Sequence, residues 1–442
     1  MEQVLGSEVV FSVLRRRGFW LGLLLWGSPA AAQQPLGAFL DAAASGSLDR
    51  ATAELEAREA LARRTVARSA LLPRLSATAG YTRNQVEVAA TFPGPEGTLE
   101  SAVISAQDQL DATLRADWTL VDASAMANIR SVDAQLDAAR YQAQDAQITV
   151  ERAVVVAYHR LAAARHVAAA AQRSVEIAMR NEAVVESQMA SGRAARLDGD
   201  RARADLARAE QQAAEAALEV ALASRELTVL TNLEPTDGLI DLTVEAEALQ
   251  PVETYLDNAQ AHPRVRGAQA QVVAARRGER SSKLAVVPSV SAFGQERFSN
   301  SAGFGPDALW SAGVSAQWRF DAGRPAQAVE ASRATQRAVV AKQRTEQAIT
   351  TSIHDAWHRV RASQARLVAA RAEELARSRA AEIAQSRLDT GAGSSLERSV
   401  AERDRFDAEV SRIRAEADLR TDQLSLRLVA GLPIVLKSEV TP

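Results

Sequence analysis

Residues 123–191 read ASAMANIRSVDAQLDAARYQAQDAQITVERAVVVAYHRLAAARHVAAAAQRSVEIAMRNEAVVESQMAS, without a proline or a glycine. Alanine, leucine, valine, glutamine, arginine and glutamate fill the stretch. At 1.5 Å per residue it predicts one helix roughly 100 Å long, several times the ordinary length. Such a helix must lie along others in a coiled-coil-like array or stand as a rod. A second stretch of the same character spans Ala326–Thr390. Each ends at a glycine, Gly192 and Gly391, and each is followed by another helix-like run. The sequence therefore predicts two long helical hairpins.

The chain is written twice. A shift of 199 positions lays Asp122 on Asp321, Ala157-Tyr158-His159-Arg160-Leu161 on Ala356-Trp357-His358-Arg359-Val360, Gly192 on Gly391, Leu197 on Leu396 and Asp198 on Glu397. Upstream, Trp118 matches Trp318 with one residue slipped, and Leu71-Leu72-Pro73 matches Val286-Val287-Pro288. A repeat held over so many positions predicts two copies of one unit, residues 33–240 and 241–442.

Each unit opens with helices, over 36–70 and 252–284, ended by Pro73 and Pro288. Strands are predicted from Leu75 to about Val88 and over 289–298. Residues 91–108 and Ser299–Asp307, rich in proline, glycine and serine, are predicted to be loops. The next segments alternate without a fault. Leu110, Ala112, Leu114, Ala116, Trp118 and Leu120 share one face of residues 109–120, while Trp310, Ala312, Val314, Ala316, Trp318 and Phe320 share one face of the second copy. Asp122 and Asp321 are placed to cap the long helices.

Strict alternation over about 12 residues is long enough to cross an outer membrane when tilted, and the aromatics near the strand ends suit an interfacial girdle. Leu110, Leu114, Trp118, Trp310, Val314 and Trp318 are the expected membrane-facing residues. Four strands cannot close a barrel, and an open edge cannot sit in lipid. Several copies must share one barrel, and three would give twelve strands.

The 442 residues include 4% aromatics and no cysteine, and the formal net charge is −3. The charge gives no case for nucleic acid. The missing thiol excludes disulfides, cysteine-based metal sites and an acylated N-terminal cysteine. Arg15-Arg16-Arg17, the short apolar run Gly18–Gly27 and Ala30-Ala31-Ala32 predict a cleavable signal peptide over residues 1–32. About ten apolar residues are too few for a spanning anchor.

The order and repetition of these features resemble the TolC family of outer-membrane efflux and type I secretion channels. The features that carry the likeness are Leu71-Leu72-Pro73 before a strand, the alternating strand running into Trp118 and Asp122, Val156-Ala157-Tyr158, and the tip sequence Ser191-Gly192-Arg193-Ala194-Ala195-Arg196-Leu197-Asp198. Its counterpart is Thr390-Gly391-Ala392-Gly393-Ser394-Ser395-Leu396-Glu397. The resemblance implies a mainly α fold with a small β part. Long hairpins would form an α-barrel, and four strands per protomer would enter a 12-stranded outer-membrane β-barrel in a homotrimeric channel-tunnel. It implies passive conduction, with a periplasmic adaptor and an inner-membrane transporter as partners and outer-membrane lipid around the strands. Gly192, Arg193, Leu197, Gly391 and Leu396 would form the periplasmic, adaptor-facing tips, with Asp198 and Glu397 as tunnel-entrance acids. An acid near a helix start is also a cap, stabilised by about 0.3–1 kcal/mol, so gating and capping both stand for these two. The aromatic that some relatives carry three residues before the tip glycine is here Met189 or Leu388, and a second acid three residues after the first is replaced by Arg201 and Val400.

Other readings fit less well. His354 and His358 share a helix face as zinc ligands do, but no third ligand lies nearby and Val155 stands at the counterpart of His354. No metal, cofactor or catalytic constellation is expected, so the chain does not read as an enzyme. The alternative function is a periplasmic adaptor or other secreted coiled-coil scaffold, which would carry one hairpin and no doubled alternating strands.

Overall fold

The structure is a computed structural model that describes residues 34–93, 99–242, 248–303, 305–319 and 321–434. The expected signal peptide and Phe320 lie outside these residues. The chain begins with α1 (Leu36–Gly46) and α2 (Leu48–Ser69), then strands β1 (Arg74–Arg83), β2 (Val88–Pro93), β3 (Leu99–Ser105) and β4 (Asp108–Val121). The hairpin α3 (Ala123–Ala190) and α4 (Arg196–Thr231) follows. Next come α5 (Val252–Leu256), a 3-10 turn, α6 (Pro263–Leu284), β5 (Ser289–Ser299) and β6 (Ala308–Gln317). A second hairpin closes the fold, α7 (Arg324–Asp389) and α8 (Ser395–Val429).

Local chemistry sets the helix ends. Asp122 caps α3 by accepting from the Ala125 amide at 2.9 Å. Both hairpins turn on a glycine in the left-handed region, Gly192 at φ 70° and Gly391 at φ 76°. In the first turn, Arg193 N–H reaches Gln188 O at 2.8 Å and Gly192 N–H reaches Met189 O at 3.0 Å. Ala392 to Arg387 and Gly391 to Leu388 repeat the pattern at 2.8 and 3.0 Å. These are Schellman closures, whose left-handed residue is most often glycine because it has no Cβ.

Four strands form one antiparallel sheet in the order β1-β4-β5-β6. The stretch expected to be a loop over 91–108 instead contributes β2 and β3, a separate two-stranded ribbon beyond the sheet. The first strand accordingly stops at Arg83 rather than near Val88. Asp321 is not the cap of α7. That cap is Gly323, whose amide donates to Asp321 Oδ1 at 2.9 Å.

The long helices are shared between two sets of neighbours. The first half of α3 packs on α2 and α6, where Arg64 pairs with Asp133 at 2.6 Å and Ser131 donates to Ala274 O at 2.7 Å. Its second half packs on α4 and α8, through pairs such as Arg160 with Glu219 at 2.8 Å. α7 likewise meets α6 first and α8 later. The layer therefore reads α2-α3-α6-α7 near the sheet and α4-α3-α8-α7 toward the tips. One edge carries α2, α4 and β1; the other carries α7 and β6.

The core sits between these rods. Phe39, Val154, Val155, Leu161 and Leu227 form its first centre, and Ile353, Val360, Leu367 and Leu426 its second. Among the described residues no core lies under the sheet. Every residue of β1 is exposed, and nearly every residue of β6 is too.

Candidate functional site: a two-faced sheet, a helical groove and the hairpin tips

Residues directly opposite in an antiparallel pair point to the same face. Leu110 opposes Tyr81, Leu114 opposes Ala77, Trp118 opposes Ala292, and Ala292 opposes Val314. These residues, with Leu75, Ala112 and Trp310, make one apolar face. Leu110, Leu114 and Trp118 are at least half exposed, and Trp310, Val314 and Trp318 are 80%, 68% and 70% exposed. Trp318 lies just past the last strand residue. Apart from Arg83 and Asp108 at the far rim, Glu296, opposite Trp310, is the one charge on this face among the described strand residues.

The opposite face is polar and internally paired. Arg297 donates to Asp111 at 2.8 Å, while Arg115 donates to Asp117 at 2.8 Å and to Gln295 at 2.9 Å. The Arg115 guanidinium also stacks 4.8 Å above the Phe293 ring. Among the described residues both faces, one apolar and one charged, are uncovered and both edges are unpaired, and such a sheet is not stable alone in water.

At the sheet-to-helix junction, the indole of Trp118 donates to Leu71 O at 3.1 Å and that of Trp318 to Val286 O at 3.0 Å. Midway along the rods, Tyr158 OH donates to Gln34 O at 3.2 Å and Trp357 Nε1 to Gln250 O at 2.9 Å. His159 is buried beside Tyr158, and its Nδ1–H donates to Val155 O at 2.9 Å. Burial pushes this imidazole down to about 4, against the hydrogen bond to Val155 and with help from Arg420. It is neutral in the fold.

At the same level, near the middle of the rods, α3, α4, α7 and α8 enclose an open groove of about 1200 Å³. Its walls carry Arg160, Glu219, Phe406, Asp407, Arg414 and Asp418. Burial raises the Asp418 carboxyl; Arg366 opposes that rise and Asp422 adds to it.

The two tips are alike in outline and different in wiring. Glu397 and Ser394 form a reciprocal capping box, with Glu397 N–H on Ser394 Oγ at 3.1 Å and Ser394 N–H on Glu397 at 3.4 Å. Asp198 supplies only the carboxylate half, accepting from Ala195 N–H at 3.3 Å, because Ala195 has no side-chain acceptor. Its second oxygen accepts from Ser395 of the other hairpin at 3.0 Å. Ser399 donates in the same way to Asp205. The basic neighbours of the two acids are Arg201, 3.9 Å from Asp198, and Arg387, 3.9 Å from Glu397. Arg193 donates to Ser191 at 3.0 Å. Leu197 and Leu396 are exposed beside the acids. Single-hydroxyl contacts across about two hundred positions leave no spacing signal, and sequence reasoning missed Ser395, Ser399 and Asp205.

Among the described residues no group of three or more histidine, aspartate or glutamate side chains is placed to hold a metal, His354 and His358 included. No helix among them is long and apolar enough to cross a membrane.

The family model described as outer membrane efflux protein matches residues 39–233 and 255–432. No curated protein matches the chain. Among solved structures, the Campylobacter jejuni CmeC outer membrane channel superposes with a TM-score of 0.76 at 19% identity, covering 90% of this chain and 85% of that one. The Vibrio cholerae outer membrane protein VceC gives 0.74 at 17%, covering 90% and 96%. The open state of the Neisseria gonorrhoeae MtrE outer membrane channel gives 0.74 at 19%, covering 90% and 89%. These likenesses are of fold.

Proposed function

The chain belongs to the outer membrane efflux protein family, and from its function as an outer-membrane efflux channel we propose that it works as a ring of three copies and conducts passively. The observation that carries this reading is the sheet. Its apolar face is uncovered and its two edges are open, and only lipid on one side and sister strands at both edges complete it. The edges are complementary in order, since β1, α2 and α4 lie on one side and β6 and α7 on the other. Joining them head to tail closes a ring. Three copies set twelve strands around a lumen lined by Asp111, Arg115 and Arg297, and they set the helical groove around the same axis.

The helical edges support the same closure. Val66 on α2 and Val229 on α4 are 71% and 63% exposed, and Val368 on α7 is 72% exposed. In this assembly Leu110, Leu114, Trp118, Trp310, Val314 and Trp318 face lipid. Gly192, Arg193, Leu197, Gly391 and Leu396 form the periplasmic tips, where a periplasmic adaptor coupled to an inner-membrane transporter docks. Asp198 and Glu397 cap their return helices and also stand at the tunnel entrance. Two units, 33–240 and 241–442, are supported by an element order that runs twice through helix, sheet strands, long helix and return helix. Export by a cleaved signal over residues 1–32 completes the reading.

Planar-bilayer recording of the full chain tests it. We expect stable conductance, with altered cation preference when Asp198 and Glu397 are both changed to alanine. A chain recovered as a soluble periplasmic monomer without conductance overturns the proposal, and currents unchanged by the double variant leave the two acids only their capping role.

A further inference from the structure

We infer that a cavity just above the hairpin tips, between α3, α4 and α8, binds a small oxyanion of the phosphate type. The cavity measures about 390 Å³ and is lined by Arg180 and Asn181 of α3, Arg208 of α4 and Arg398 of α8. Arg398 is 9% exposed and Asn181 is 6% exposed. One arm of the Arg398 guanidinium donates to Gln385 at 3.2 Å, but its Nε is buried with no hydrogen-bond partner among the described residues. A buried donor left unmade is costly.

The local carboxylates do not answer it. Glu402 pairs with Arg405 at 2.9 Å, Glu409 with Arg173 at 2.5 Å, and Asp205 takes the Ser399 hydroxyl. Arg180 and Arg208 are exposed and form no ion pair among the described residues, and Glu176, the fourth carboxylate of the lining, forms none either; no carboxylate among them lies within salt-bridge reach of the three guanidinium groups. A guanidinium is a planar fork that matches the oxygens of a tetrahedral oxyanion, and the Asn181 amide adds a neutral donor. The wall supplied by α8 is its first turns, where the helix dipole also favours negative charge. Burial works against the charge on Arg398, and Glu402, Asp389 and Asp205 offset it from a distance.

The position at the same place in the first hairpin is Gly199, packed against Met189. Arg398 therefore has no basic counterpart in the first hairpin. An anion held in the cavity bridges three helices of both hairpins and makes their separation at the tips harder.

The test is thermal unfolding of the full-length protein in detergent, with inorganic phosphate replacing chloride at constant ionic strength. We expect a saturable rise in Tm for the unaltered chain and at least roughly tenfold weaker phosphate binding for Arg398→Gln, since one charge-assisted bidentate contact is lost. Arg398→Lys should keep part of the effect, because a point charge remains without the fork. Arg193→Gln, at the exposed tip, should keep all of it. A Tm that does not respond to phosphate, or that responds equally in Arg398→Gln, overturns the inference. So does loss of assembly in Arg398→Gln with no phosphate response in the unaltered chain, since that outcome assigns Arg398 to an acid of a second copy. Should Arg398→Gln fail to fold, the paired variant Asn181→Ala and Arg208→Gln is titrated with phosphate by 31P line broadening; unchanged affinity there overturns the site.

Discussion

The Trp118 indole donates to the Leu71 carbonyl at 3.1 Å, tying the last residues of β4 to the chain that leaves α2. Trp318 makes the matching bond to Val286 at 3.0 Å. Each ring therefore anchors a strand end to a helix end while its remaining surface stays open to the surroundings. Phenylalanine keeps the ring and removes the donor. We expect Trp118→Phe to destabilise the assembled protein by about 1 kcal/mol, the usual net value of a hydrogen bond. Combining it with Trp318→Phe should give nearly additive loss, as expected for separate sites. Thermal dissociation followed on a semi-native gel checks both.

Gly192 and Gly391 have open space where a Cβ would stand, so only backbone strain opposes a side chain there. Alanine at either position should cost about 1–2 kcal/mol, and Gly192→Asn less, because asparagine tolerates the left-handed region. Tm differences among single variants of the full chain measure this.

His159 gives a pH signature with a definite sign. Its imidazole titrates near 6.5 in the unfolded chain and at about 4 in the fold. The folded state binds fewer protons between those values, so its stability is full above pH 6.5 and falls as pH drops toward 4. The total loss is roughly 3 kcal/mol at most. A Tm series from pH 7.5 to 4.5 should show that fall in the unaltered chain and a shallower one in His159→Leu.

Leu161 and Val368 separate core from edge. Leu161 is fully buried, and Leu161→Ala should lower stability by about 2–5 kcal/mol. Val368 is 72% exposed on the α7 edge. Val368→Glu should leave the helical signal in circular dichroism unchanged and shift the particle to smaller species in size-exclusion chromatography.

The rods were legible because nothing in them conflicts. Residues 123–190 lack any breaker, Asp122 caps them and Gly192 turns them. The alternation from Leu110 to Trp118 was equally plain because lipid-type and water-type faces demand opposite chemistry. The β2–β3 ribbon was missed because Val88–Pro93 does not alternate, a register shift follows Val88, and turn residues surround it. Asp321 misled for a related reason. It stands where Asp122 stands, but Gly323 and Pro325 move the helix start two residues on. The wiring between Asp198 and Ser395, and the place of Arg398, depend on how two hairpins lean together, which no local spacing records.

The central claim is that β1 and β6 are interior strands of a shared ring rather than the edges of a lone sheet. Amide hydrogen exchange on the full chain in lipid nanodiscs tests this most directly. Slow exchange is expected at the outward N–H groups of Arg74–Arg83 and Ala308–Gln317, matching β4 and β5. Fast exchange along those two strands, with β4 and β5 protected, would contradict it.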